Sequence, residues 1–241
     1  MMKTIVLVHG AWGSSWSWDK IKPMLEDLGY RVVTFDLPGH GTDHKPINTV
    51  TLDDFVDATV KVLKEQPEPV ALLGHSLGGT IISQAAEKCP EKISKLIYYS
   101  AFLLVNGEKQ MDRIVSDKFT KVGPETLTIH EDGTCDLVKE KVRNVFFNTT
   151  SDEDAAFALE RLQTDTIVPM QKPLELTEEN YGRIPRYFIH CLQDNGITIT
   201  TQRDMVKCSP CVKTFEIDAD HFACFTHAKE LVEAIDAIMK D

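Results

Sequence analysis

Apolar positions along the chain fall into short runs separated by longer stretches in which they recur every three or four residues. The runs are "TIVLVHG" (4–10), "RVVTFD" (31–36), "VALLG" (70–74), "KLIYYS" (95–100), "RYFIHC" (186–191) and "VKTFEI" (212–217). They are rich in β-branched and aromatic residues, and each gives way to a polar or glycine-bearing loop, as strands of a buried parallel sheet do. Between them lie helical periods. Leu52, Phe55, Val56, Thr59, Val60 and Leu63 share one helix face, and Thr51 with Asp54 three residues on forms a capping pair at its start. A last helix over about 226–240 aligns Leu231, Ile235 and Ile238. Strand–helix alternation of this kind predicts an α/β fold with a mostly parallel, doubly wound sheet.

The alternation stops between about 106 and 184. That stretch is polar, carries Phe119, Phe146, Phe147 and Phe157, and contains helical segments such as "SDEDAAFALERLQ". It is too long for a loop, and the strand pattern resumes after it. The expected organisation is therefore a core of residues 1–105 and 185–241, with 106–184 inserted as a helical cap over the C-terminal edge of the sheet. No internal repeat or low-complexity tract interrupts this.

Composition narrows the classes of function. A hydrophobic share of 42% and a charged share of 26% are ordinary for a globular domain. No run approaches the ~20 apolar residues that span a bilayer. The opening "MMKTIVLVHGAW" lacks a long apolar region and a small-residue cleavage site, so it reads as a strand and points to a cytoplasmic protein. A net charge of −11 disfavours nucleic acid and anionic membrane surfaces as partners. The six cysteines are too sparse for a disulfide scaffold. "CSPC" (208–211) has no second ligand pair, so no metal site is expected.

The candidate chemistry begins at "GHSLG" (74–78), a G-x-S-x-G stretch set between a strand and a helix. In that setting the serine occupies a sharp, strained turn, with small neighbours two residues away on either side. The turn lifts the hydroxyl of Ser76 above the sheet and directs the N–H of Leu77 toward a developing oxyanion. A serine nucleophile needs a base. Of the histidines, His190 lies within a strand, His130 in the insertion and His75 beside the serine. His221 follows the last strand, where catalytic groups of open α/β sheets gather. Asp194, after "RYFIHC", is the acid that would orient it; Asp218 and Asp220 are rivals in the same loop as His221. The order Ser76, Asp194, His221 is the chain order of serine hydrolases with a strand–elbow–helix nucleophile. The second oxyanion donor is expected from "HGAW" (9–12), with Gly10 permitting the turn and Ala11 donating its N–H. Trp12 and the insertion's Phe119 and Phe146, with Phe222, are candidate pocket walls.

These residues resemble the α/β-hydrolase family of plant methyl esterases and hydroxynitrile lyases and their bacterial esterase relatives. The resemblance runs through "LVHGAW", "SWSWDKIKPMLEDLGYRVVTFDLPGHGTD", "LLGHSLGG", "AAEKCPEKISKLIYYSAF", "CLQDNGI" and "DADHFACF", and is weakest over 107–165. It implies an α/β-hydrolase fold, the triad Ser76–Asp194–His221, and an oxyanion hole at Ala11 and Leu77. It also implies a cofactor-free enzyme, often a homodimer, acting on small hydrophobic esters. The lyase branch carries a lysine after the histidine, a threonine at the "HG" glycine and a cysteine after the nucleophile. Here those positions hold Phe222, Gly10 and Leu77, which favours the esterase branch. Lyase-type cleavage and a ligand receptor retaining the triad stand as the alternatives.

Overall fold

The computed structural model describes residues 2–241. Its centre is a six-stranded sheet in which every registered neighbour pair is parallel. The strands are β1 (Thr4–Val8), β2 (Arg31–Thr34), β3 (Val70–Ser76), β4 (Ile93–Ala101), β8 (Arg186–Cys191) and β9 (Lys213–Ile217), in the order β2-β1-β3-β4-β8-β9. All seven residues of β3 are buried, so this central strand is covered on both faces, which explains why it reads as an unbroken apolar run.

The flanking helices form where the apolar period places them. α2 (Leu52–Lys64) starts with the expected capping box: Asp54 N–H donates to Thr51 Oγ1, and Thr51 N–H donates to the Asp54 carboxylate. Its buried residues are the six that the period aligned. α3 (Gly78–Lys88) packs on β3, α2 packs on α3, and α1 (Ile21–Asp27) packs on α10 (Ala228–Lys240). Leu231, Ile235 and Ile238 are buried on α10, as their spacing requires.

The segment between β4 and β8 differs from the all-helical expectation. It contains α4 (Gln110–Ser116), α5 (Lys139–Phe146), α6 (Asp152–Arg161) and α7 (Val168–Gln171), but also a three-stranded antiparallel sheet of β5 (Leu127–Ile129), β6 (Thr134–Leu137) and β7 (Asp165–Thr166). These strands have only two to four residues, too few for a period-2 pattern to stand out. After β8 the chain forms α8 (Ile199–Cys208), β9, the short α9 (Ala223–Thr226) and α10. All six cysteines are free thiols. Among the described residues no helix is long and apolar enough to cross a membrane, and no three acids, histidines or cysteines converge as a metal site.

Candidate active site

Ser76 ends β3 with φ +54, in the left-handed region that L side chains rarely adopt. That conformation turns the chain directly into α3. The turn closes only because Gly74 lacks a side chain: a Cβ there would lie 2.5 Å from the carbonyl oxygen of Gly78. Two other non-glycine residues have positive φ, Trp12 (+58) and Ser100 (+38). Both follow or end neighbouring strands, β1 and β4, and both border the same site.

The loop after β8 presents Asp194, which is 4% exposed. Its Oδ1 accepts the N–H groups of Gly196 (2.7 Å) and Ile197 (3.0 Å). Its Oδ2 accepts from Ser100 Oγ and from His221 Nδ1, the latter at 2.6 Å. Four donors thus hold one buried carboxylate, which satisfies its charge and fixes its plane. Through this bond Asp194 holds the plane of the His221 ring, with Nε2 on the side away from the carboxylate. Gln202 braces this loop from α8, accepting from Cys191 N–H and donating to Cys191 O, Ile197 O and Ser100 Oγ.

His221 is positioned through its backbone as well. His75 Nε2–H donates to the His221 carbonyl at 2.9 Å, and Tyr99 OH donates to the same oxygen at 3.2 Å. Burial, and then the neighbouring His221, push the pKa of His75 well below the ordinary histidine value, so it stays a neutral donor. Ser76, His221, Phe222, Ala11, Trp12 and Phe146 together line one small cavity. No hydrogen bond joins Ser76 Oγ to His221 among the described residues, an arrangement common in ligand-free enzymes.

The rival residues have other partners. Asp220 Oδ2 accepts from Thr149 N–H, Thr150 N–H and Thr150 Oγ1, tying the His221 loop to the insertion. Asp218 pairs with Gln193 Nε2. His190 is buried against Phe188, and His130 pairs with Asp136 at the surface.

Gly10 approaches the serine closely: a Cβ on it would lie 2.8 Å from Ser76 Cβ. The N–H groups of Ala11 and Leu77 donate to no protein acceptor among the described residues. Ala11 lines the cavity; Leu77 does not, and its side chain is buried. A second cavity of about 40 Å³ opens from Ser76 and is walled by Trp12, Phe102, Ile114, Phe146 and Met170, with Gln110 as its polar member. An outer cleft of about 370 Å³ shares Trp12, Ile114, Val122 and Met170 with it and is otherwise almost wholly apolar. Among the described residues, no lysine or arginine lines these three cavities.

Phe119 needs correction as a pocket wall. It is 69% exposed and lines none of these cavities, because it sits in the loop after α4. Phe146 and Phe222 do border Ser76, whereas Phe147 stacks behind Phe222 and Phe157 packs on Trp16 and Phe225. Sequence reasoning missed Ser100 and Gln202. Ser100 carried one signal, as a polar residue following the apolar run Leu96–Tyr99 near the end of β4, at the edge where catalytic groups of such sheets collect.

The comparisons with known proteins agree with this architecture. Methylesterase 9 of Arabidopsis thaliana is 33% identical over 248 residues, covering 97% of this chain and 97% of that protein. The alpha-hydroxynitrile lyase of the same plant is 32% identical over 251 residues, covering 98% and 96%. Putative methylesterase 11, chloroplastic, also from that plant, is 32% identical over 94% of this chain, which spans 61% of that longer relative. A crystal structure of a pyrethroid hydrolase superposes with a TM-score of 0.88 at 28% identity, over 100% of this chain and 98% of the other. The model of the alpha/beta hydrolase family matches residues 5–234, and with that match running from β1 into α10 the chain belongs to the alpha/beta hydrolase family.

Proposed function

We propose that this protein is a serine hydrolase of small hydrophobic carboxylic esters. The observation that carries the reading is the fully hydrogen-bonded Asp194–His221 pair facing a strained Ser76 across one apolar cavity. In this reading Ser76 Oγ attacks the ester carbonyl while His221 Nε2 takes its proton. The carbonyl oxygen becomes an oxyanion, held by the N–H groups of Ala11 and Leu77. His221 then returns the proton to the departing alkoxide, leaving an acyl-Ser76. A water, deprotonated by His221, attacks that acyl group and releases the acid. The insertion acts as a cap: Phe146, Ile114 and Met170 exclude bulk water and favour alkyl and aryl groups over charged ones. The substrate is a small molecule, and the protein works in the cytoplasm.

Relatives named methylesterases and a pyrethroid hydrolase support ester hydrolysis. The relative named a hydroxynitrile lyase keeps a second reading open. Cyanohydrin cleavage, however, must stabilise departing cyanide, and the cavities hold no lysine or arginine, with Phe222 next to the base. A paired assay on one preparation separates them. p-Nitrophenyl esters of rising acyl length should be hydrolysed, fastest at short to medium lengths, with negligible cyanide from mandelonitrile. Ser76→Ala should lower kcat ~10⁴–10⁶-fold and abolish labelling by a fluorophosphonate. Cyanide release outpacing ester hydrolysis, or a Ser76→Ala protein with wild-type rates, would refute the proposal.

A further inference from the structure

The loop that carries Ala11 is held from outside the core. Trp12, the next residue, has positive φ, and three groups of the cap grip it. Its N–H donates to Asp165 Oδ2 at 2.8 Å. Its carbonyl accepts from Gln163 N–H at 2.9 Å. Its indole Nε1–H donates to the Cys135 carbonyl at 3.3 Å. Asp165 and Cys135 are themselves paired across β6 and β7, so the small antiparallel sheet grips Trp12 as one unit.

Asp165 is 0% exposed, and a buried carboxylate needs several partners. Its Oδ1 accepts its neighbour Thr166 N–H at 2.6 Å. Its charge is met by His40, 1% exposed, whose Nε2 lies 3.1 Å from Oδ2. With Nδ1 on a carbonyl and Nε2 on a carboxylate, His40 faces acceptors at both ring nitrogens, which favours the protonated ring and an ion pair with Asp165. His40 comes from the loop after β2, and its Nδ1 is anchored to Pro38 O at 3.1 Å. The anchor of Trp12 is thus a cap carboxylate whose counter-ion belongs to the core.

We propose that Asp165, with His40 as its counter-ion, is a positioning residue for the oxyanion donor Ala11. The inference rests on the ester-hydrolase reading above. A backbone donor stabilises an oxyanion only when its direction is fixed before the charge develops. Asp165 fixes the peptide plane between Ala11 and Trp12 through Trp12 N–H, and Gln163 fixes the next plane, between Trp12 and Gly13, through Trp12 O. The Ala11 N–H, one peptide earlier, is aimed by that clamp while itself free to meet substrate. Only a carboxylate suits position 165. An asparagine amide has one oxygen and could serve Trp12 N–H or Thr166 N–H but not both.

The test uses the full chain, with p-nitrophenyl butyrate as substrate and amide hydrogen exchange as a second readout. Asp165→Asn should lower kcat 10- to 100-fold with KM within threefold. Exchange at Trp12 should accelerate at least tenfold while β3 amides keep their protection. Glu87→Gln breaks a different tie, between α3 and the segment at Thr177–Tyr181, and should leave kcat within threefold. In the wild type, Trp12 N–H should exchange at least tenfold more slowly than Ala11 N–H, a comparison that needs no variant to fold. Unchanged Trp12 exchange or unchanged kcat in Asp165→Asn, an equal kcat loss in Glu87→Gln, or a wild-type Ala11 amide as protected as that of Trp12 would each overturn the proposal. A wild type that hydrolyses no ester would sink the esterase reading alone, since the exchange comparison still decides whether Asp165 holds the loop.

Discussion

Acid should unfold this protein through three buried histidines, His9, His75 and His190. His9 is 0% exposed: its Nδ1–H donates to Gly10 O at 2.8 Å, and its Nε2 accepts Leu37 N–H at 3.0 Å. Both ring nitrogens are committed to a neutral imidazole. Burial, reinforced by the neighbouring His40, lowers its pKa from 6.5 to about 4. In the unfolded chain His9 returns to its ordinary value and binds a proton as pH falls through 6.5. Between that value and about 4 the unfolded state therefore holds roughly one more proton. Stability should fall by roughly 1.4 kcal/mol per pH unit there, on the order of 3 kcal/mol in all. His75, lowered well below 6.5 by burial, and His190, also lowered by burial, add to the loss in the same direction. His40 has the opposite sign. Burial works against its charge, but the Asp165 carboxylate outweighs it and raises the pKa. That contribution is complete below pH 6.5 and disappears as pH rises through the raised value. The carboxylates held low, Asp36 (about 2) and Asp165, lose their contribution only as pH falls below the ordinary carboxylate range. The window from pH 6.5 to 4.5 therefore reports chiefly on His9, His75 and His190. Urea unfolding followed by tryptophan fluorescence at half-unit steps measures the slope. In His9→Gln, which keeps an acceptor for Leu37 N–H but does not titrate, the slope should drop by roughly one proton. Coincident slopes for the two proteins would refute the assignment of His9 as a buried neutral group.

Other outcomes follow from the site. Asp194→Asn should leave the fold intact and lower kcat on the order of 10⁴-fold by analogy with serine proteases; a larger kcat loss in Asp218→Asn or Asp220→Asn would contradict the choice of acid. Asp220→Asn should instead weaken the tie to Thr149 and Thr150 and lower the melting temperature, read by calorimetry. Gly10→Ala would place a methyl carbon 2.8 Å from Ser76 Cβ; displacing the proposed nucleophile by a fraction of an ångström should lower kcat by up to ~10²-fold, and unchanged turnover would mean that the loop yields without cost.

The core was readable because its signals are local. Thr51 and Asp54 lie three residues apart and cap α2 from within one turn, and the apolar runs mark β3 and β8 because both strands are buried along almost their whole length. Ser76, Asp194 and His221, the residues proposed as a triad, each follow or end a strand, and the parallel sheet brings those strand ends to one edge. The insertion was less legible. Its strands are shorter than the pattern that would reveal them, and a phenylalanine such as Phe119 looks the same in sequence whether it faces a pocket or solvent. Partnerships across the chain were invisible for a simpler reason. Nothing near Trp12 announces that its N–H will meet a carboxylate 153 residues later, and nothing near Asp165 names His40.

Trp12, Ser76 and Ser100 are the three non-glycine residues with positive φ among those described, and all border one site. Each such conformation costs on the order of 1–3 kcal/mol relative to relaxed backbone. At position 76, whose hydroxyl makes no hydrogen bond among the described residues, glycine would relieve that strain at little cost, whereas at 12 and 100 it would forfeit the buried indole bonded to Cys135 and the hydroxyl bonded to Asp194. A population of variants selected for heat resistance alone should therefore drift toward glycine at 76 while keeping Trp12 and Ser100, and grow more robust as the proposed nucleophile disappears.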